Sequence, residues 1–208
     1  MPTSDKLCMI RLNRLQNQID ILIADAASGN SESVFTETNK YYIEEVSDDY
    51  LTIIPDGKRF ILTSERDGYK HIYLYDWQNK AIQQITSGSN EVISVSGYNP
   101  KEKTIYYLGY DQTPLRKAIF SVDSKGQIRK LSPNSGTNSA VFTKNYKYYM
   151  VYNSSITSPL SVTLYKANGK QVRVMEDNQK LKEKLEQYDI PQKEFFTFKT
   201  SEGVELYG

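Results

Sequence analysis

His71-Ile72-Tyr73-Leu74-Tyr75-Asp76, followed by Trp77-Gln78-Asn79-Lys80 and then by Ala81 to Thr86, is the stretch on which the fold turns. Its first six residues alternate β-formers and end in an acid. The turn offers Asn, a residue tolerant of the left-handed backbone, and a second strand follows. The same plan recurs in Asp20-Ile21-Leu22-Ile23-Ala24-Asp25 and in Ala118-Ile119-Phe120-Ser121-Val122-Asp123. Val162-Thr163-Leu164-Tyr165-Lys166-Ala167 has the pattern without the acid, and the four stretches end 51, 47 and 44 residues apart.

Turns with Gly or Asn follow each one, at Ser28-Gly29-Asn30, Gln78-Asn79-Lys80, Ser124-Lys125-Gly126 and Asn168-Gly169-Lys170. The second strands are expected over Glu32 to Thr36, Ala81 to Thr86, Gln127 to Ser132 and Gln171 to Glu176. Upstream strands are expected over Met9 to Arg14, Phe60 to Ser64, Thr104 to Tyr110 and Tyr148 to Tyr152. Pro55-Asp56-Gly57-Lys58, Asn99-Pro100-Lys101-Glu102 and Thr143-Lys144-Asn145-Tyr146 supply the turns before the later ones. A β-sandwich also spaces its strands at roughly 8–12 residues. The recurring strand–Asp–turn–strand unit favours instead an all-β chain of about four four-stranded antiparallel blades, a β-propeller segment over residues 1–177.

Composition agrees. The 208 residues include 17 Tyr, whose apolar ring and wet hydroxyl suit a half-buried pleated surface. Lys plus Arg number 26 and Asp plus Glu 25, which lacks the basic excess of a nucleic-acid binder. No apolar run reaches the roughly 18 residues of a membrane span, and the first residues lack the plan of a secretory signal. Cys8 and His71 are the only residues of their kinds. An intramolecular disulfide and a finger-type zinc site are therefore excluded.

The pattern changes near residue 177. Asp177 to Tyr188 predicts one helix, capped by Asp177 or Asn178, with Leu181, Leu185 and Tyr188 on one face and Pro191 beyond its end. Residues 178–194 then form a linker helix segment. Phe195 to Lys199 and Gly203 to Tyr207 predict a hairpin, so 195–208 reads as the start of a second domain.

Candidate sites are sparse. No Gly-x-Ser-x-Gly elbow, P-loop, dinucleotide fingerprint or metal-protease helix occurs. His71 alternates with tyrosines in a strand and reads as structural, and Cys8 reads as a buried packing residue. Glu44-Glu45 and Asp48-Asp49, flanked by Tyr41, Tyr42 and Tyr50, form an acidic cluster of the kind that holds a cation or a peptide amine; the spacing matches no calcium loop and favours a solvated loop. Glu65, Arg66 and Asp67 are expected to pair with one another in a turn, with Gly68 taking the unusual backbone angle. Asn153-Ser154-Ser155 fits a glycosylation sequon. Catalytic, cofactor-binding and metal residues are each expected to be none.

Thr63-Ser64-Glu65-Arg66-Asp67-Gly68-Tyr69-Lys70-His71-Ile72-Tyr73-Leu74-Tyr75-Asp76 closely resembles a stretch of bacterial prolyl dipeptidyl peptidases of the dipeptidyl peptidase IV type. So do Arg11-Leu12-Asn13-Arg14-Leu15-Gln16-Asn17, the closing Met175-Glu176-Asp177-Asn178, and Pro191-Gln192-Lys193-Glu194-Phe195-Phe196. The resemblance covers essentially the whole chain. It implies the second half of an N-terminal eight-bladed propeller, with 195–208 as the truncated first hairpin of an α/β-hydrolase domain. It further implies serine-type removal of Xaa-Pro or Xaa-Ala dipeptides from peptide N-termini, in the periplasm or at the cell surface. The family's Ser-Asp-His triad is then expected beyond Gly208, and its ammonium-gripping glutamate pair before Met1. Glu44-Glu45 sits downstream of the Arg11-Leu12-Asn13-Arg14-Leu15 stretch and does not correspond to that pair. The partners so implied are a peptide with Pro or Ala second, the hydrolase domain and, through exposed blade edges, a second copy in a homodimer. No cofactor, nucleic acid or membrane span is expected. The competing reading is a non-enzymatic periplasmic β-propeller that serves as a binding or scaffold module.

Overall fold

In the computed structural model the described residues are 4–44, 46, 50–191 and 193–208. They form four antiparallel sheets in chain order, one short helix and a closing hairpin. The first sheet orders β1 (Lys6–Leu12), β2 (Gln18–Asp25) and β3 (Ser31–Thr38) as β1-β2-β3. The second is β4 (Leu51–Ile53), β5 (Arg59–Ser64), β6 (His71–Asp76) and β7 (Ala81–Gln84), in that order. The third joins β8 (Val92–Asn99), β9 (Thr104–Asp111), β10 (Thr113–Val122) and β11 (Ile128–Lys130). The fourth joins β12 (Thr137–Phe142), β13 (Tyr148–Ser155), β14 (Ser158–Lys166) and β15 (Gln171–Glu176). Three sheets have the expected four strands; the first has three among the described residues.

The acid at the end of the repeated strand has a local task. Asp25 Oδ1 accepts the amides of Ala27 and Ser28, at 3.2 and 2.7 Å. Asp76 Oδ1 accepts those of Gln78 and Asn79, and Asp123 Oδ1 that of Lys125. Each carboxylate satisfies turn amides that no ladder reaches, so each closes a hairpin with its own side chain. In the fourth unit, which lacks the acid, Asn168 Oδ1 accepts the Lys170 amide. The turns need one left-handed residue: Gly29, Gly126 and Gly169 provide it at φ 73, 80 and 85°, but in the second unit it is Lys80 at 53° rather than Asn79.

The chain divides into two compact units, Met1–Ile105 with Val122–Gly126, and Tyr106–Ser121 with Gln127–Gly208. In the first, Ile21, Ile23, Val34, Phe35, Phe60, Leu62, Tyr73 and Tyr75 form the core between the first and second sheets. Phe60 to Ser64 are all buried, so β5 is covered on both faces. Phe60 lies 5.1 Å from Tyr75 and 5.7 Å from Trp77, ring centre to ring centre. A register shift in the β2–β3 pairing between Ile21 and Leu22 leaves Val34 without a ladder partner. Tyr75 on β6 donates to the Val34 carbonyl at 2.8 Å, so the bulge is satisfied from the neighbouring sheet.

In the second unit Tyr106, Ile119, Leu131, Tyr149 and Val151 are the core. Tyr149 stacks between Phe142 at 5.2 Å and Tyr165 at 5.3 Å, and its hydroxyl donates to the Leu131 carbonyl at 2.8 Å. The helix, α1 (Gln179–Leu185), is shorter than the Asp177-to-Tyr188 expectation. Of the two capping candidates Asp177 acts, its carboxylate accepting the Gln179 amide at 3.0 Å. Asn178, at φ 53°, makes no side-chain cap and donates instead to the Leu160 carbonyl. The closing hairpin pairs β16 (Thr197–Lys199) with β17 (Glu205–Tyr207).

Candidate functional site

The antiparallel registers carry three connecting segments to one end of the second sheet. Leu51 pairs with Leu62 and Tyr73 with Gln84, so the described residues 39–44, 46 and 50, together with 65–70 and 85–91, lie at the end where β5 ends and β6 begins. A concavity opens there, lined among others by Glu37, Glu44, Tyr50, Ser64, Glu65 and Lys70.

Its charges are arranged in pairs. Glu37 on β3 accepts the Ser64 hydroxyl at 2.6 Å and pairs with the Arg66 guanidinium. Arg66 lies over the rings of Phe35 and Tyr73, at 5.4 and 4.9 Å from their centres, so its charge is also held by two aromatic faces. Lys70 Nζ meets Glu44 at 2.8 Å. Burial, then repulsion from Glu44, raises the Glu65 carboxyl, with Lys70 opposing. Burial, then the Glu37 charge, raises the Tyr50 phenol.

Glu65, Arg66 and Asp67 do not pair with one another. Arg66 goes to Glu37, 29 residues away, and Asp67 accepts the Gln84 amide from β7. Gly68, at φ 99°, does take the left-handed conformation, with its amide on the Glu65 carbonyl at 2.9 Å. Of the acidic cluster, Glu44 is exposed and ion-paired, while Glu45, Asp48 and Asp49 lie outside the described residues.

His71 is fully buried. Its Nε2 lies 2.9 Å from the Gly88 carbonyl and therefore carries the proton, while Nδ1 accepts from the Thr86 hydroxyl at 3.3 Å. Thr86 and Asp67 flank the ring in a way that superficially imitates a nucleophile, base and acid. Thr86, however, is itself buried and accepts the Ile72 amide at 3.0 Å, which leaves no room for a substrate at its oxygen. The arrangement ties the 85–91 segment to β6. Cys8 is half-buried rather than buried; it packs against the first core, and burial raises its thiol. Asn153 lies within β13, not in a loop, and its amide nitrogen already donates to Ser135 and Asn138. Among the described residues no group of three or more His, Cys, Asp or Glu is placed to hold a metal ion, and no helix is long and apolar enough to cross a membrane.

What this loop end can do is present fixed charge to a passing molecule. Glu37 is spent on Ser64 and Arg66, whereas the pair of the half-buried Lys70 with the exposed Glu44 is open to exchange partners with a charged ligand.

Solved and curated proteins resemble this chain in sequence and fold. The crystal structure of Porphyromonas gingivalis dipeptidyl peptidase 4 superposes with a TM-score of 0.91 and 36% identity, over 98% of this chain and 29% of that one. The dipeptidyl peptidase 4 of Trichophyton rubrum is 23% identical over 97% of this chain and 27% of its own length. That of Felis catus is 28% identical over 66% of this chain and 19% of its own length. The chain thus spans about a quarter of the length of the curated relatives it matches, and its consecutive sheets are blades of the propeller seen in the bacterial structure. Residues 1–160 match the family model of the dipeptidyl peptidase IV (DPP IV) N-terminal region, and the chain belongs to that family.

Proposed function

We propose that these residues are propeller blades of a serine dipeptidyl peptidase that removes Xaa-Pro or Xaa-Ala dipeptides from peptide N-termini. In this reading the blades wall the reaction chamber and gate the entry of peptides. A hydrolase domain of the same polypeptide supplies the nucleophile, with 178–194 as the linker and 195–208 as that domain's first hairpin. The reading places the protein in the periplasm or at the cell surface. The observation that carries it is the superposition on the Porphyromonas gingivalis dipeptidyl peptidase 4 across nearly the whole chain.

Gating belongs to the loop end of the second sheet. A wall of fixed charge in a confined, partly dry chamber acts on a charged peptide more strongly than the same charge in water. Within that wall the half-buried Lys70 and the exposed Glu44 form an ion pair at its surface. The test is a charge reversal, Lys70→Glu, in the full-length protein, assayed with two peptides that differ only in an acidic or a basic residue after the cleaved dipeptide. The basic peptide should gain and the acidic one lose about two- to fivefold in kcat/KM, the scale of an exposed ion pair. Both peptides moving together, or neither moving, contradicts a gating role for this end.

A further inference from the structure

The sheets differ in the charge of the turns that close them. At one end of the second sheet, Asp56 Oδ1 accepts the Lys58 amide at 2.9 Å and Asp76 Oδ1 the Gln78 amide at 2.9 Å. The fourth sheet makes the same two bonds with neutral side chains. Asn145 Oδ1 accepts the Lys147 amide at 3.1 Å and Asn168 Oδ1 the Lys170 amide at 3.0 Å. Such a turn needs an acceptor oxygen, not a charge, so the exchange of acid for amide leaves the fold alone and changes the field. The two turns of the second sheet set Asp56 and Asp76 against Lys58, Arg59 and Lys80, an excess of one cation. Those of the fourth hold Lys144, Lys147, Lys166 and Lys170 with no acid at all.

The backbone gathers these four lysines at one end of the sheet. Ala167 N–H donates to the Lys147 carbonyl and Lys166 N–H to the Lys170 carbonyl, both at 2.9 Å, while Lys144 lies in the turn that Tyr146 N–H closes on the Thr143 carbonyl. All four are exposed, and among the described residues none of them forms an ion pair. The acids of this sheet lie at its other end, with Glu176 opposite Val162 and Asp177 beyond it. Tyr148, 39% exposed, stands beside the cluster, directly opposite Lys166 in register.

We propose that this lysine end of the fourth sheet docks on an anionic lipid surface. A single phosphate is gripped by forked guanidiniums or converging amides, whereas ammonium groups on flexible stems, spread over two turn tips, suit a field of many charges. Lysines near such a surface each add to the attraction, which fades within a Debye length. The exposed tyrosine favours a bilayer over a soluble polyanion, because an apolar ring with a wet hydroxyl sits well at headgroup depth. Docking of this kind draws only on the turn charges and does not require the peptidase reading.

Co-sedimentation of the full-length protein that contains these residues with phosphatidylcholine vesicles, with and without phosphatidylglycerol, tests it. Binding should require phosphatidylglycerol and weaken as salt is raised. Lys147→Gln with Lys166→Gln should weaken it roughly 25-fold, at about fivefold for each lysine near such a surface. Lys180→Gln with Lys184→Gln removes the same charge from α1, beyond the opposite end of β15, and should bind like the parent. No binding to the anionic vesicles, equal binding to the neutral ones, or equal losses in the two double variants overturns the proposal. So does lysine-dependent capture by a soluble acidic polysaccharide without vesicle binding. If circular dichroism shows the Lys147→Gln, Lys166→Gln variant unfolded, hydrogen exchange of the parent protein decides. Anionic vesicles must then raise protection over 143–148 and 166–170, and protection confined to other segments refutes this end as the docking surface.

Discussion

Removing one oxygen from Tyr75 isolates one of the contacts that join the first two sheets. Tyr75→Phe keeps the ring, 5.0 Å from Phe35 and 5.1 Å from Phe60, so the apolar burial and the aromatic packing are conserved. What is lost is the donor to the Val34 carbonyl, which sits at the β2–β3 bulge, is buried and has no ladder partner. The energy at stake is that of a buried acceptor left unsatisfied, about 1–3 kcal/mol, rather than the smaller net worth of an average hydrogen bond. With a urea m-value of about 2 kcal/mol/M, the unfolding midpoint falls by roughly 0.5–1.5 M. Trp77, the only tryptophan, lies 5.7 Å from Phe60 in the same cluster, so its fluorescence reports this core directly. A midpoint shift below roughly 0.2 M, or a shift upward, would refute the assignment of Tyr75 as the group that satisfies the bulge.

Two further perturbations follow from the same structure. A Cβ at Gly136 would stand 2.2 Å from the Ser154 carbonyl oxygen at φ 70°, while one at Gly169, φ 85°, meets nothing within 4 Å. Gly136→Ala should therefore cost well over the ~1–2 kcal/mol of a left-handed alanine, and Gly169→Ala about that amount, in parallel melts; equal losses would contradict the clash. Burial raises the phenols of Tyr50, Tyr73, Tyr75, Tyr98, Tyr107 and Tyr149. A raised folded-state pKa stabilises the fold below the unfolded tyrosine value near 10, and that stability is lost as pH climbs past it. Phenolate absorbance should consequently rise together with loss of the β signal above about pH 10, and gradual titration of all tyrosines in an intact fold would contradict it.

The sequence carried the parts of the fold that local chemistry decides. Asp25, Asp76 and Asp123 each bond to amides two or three residues on, so strand, acid and turn appear together in one short window. The leading strands β4, β8 and β12 were not individually legible: β4 has three residues, and β12, Thr137-Asn138-Ser139-Ala140-Val141-Phe142, mixes polar and apolar positions. Helix length was overestimated because α1 buries none of its residues, so its apolar spacing had no packing behind it. The charges at the loop end were misassigned for a related reason. Arg66 has acids on both sides in sequence, yet the backbone brings Glu37 from β3 beside it, and the aromatic faces of Phe35 and Tyr73 hold it there. Ion-pair choice at a turn is set by which sheet lies next to it, a non-local fact.

The most direct measurement concerns the reaction itself. The full-length protein that contains these residues should release a dipeptide from a Gly-Pro chromogenic substrate, and the purified 208-residue chain, with His71 sealed beneath Thr86 and Gly88, should not. Turnover by the 208-residue chain free of host peptidases, or a full-length protein that binds such peptides without cleaving them, would contradict the assignment.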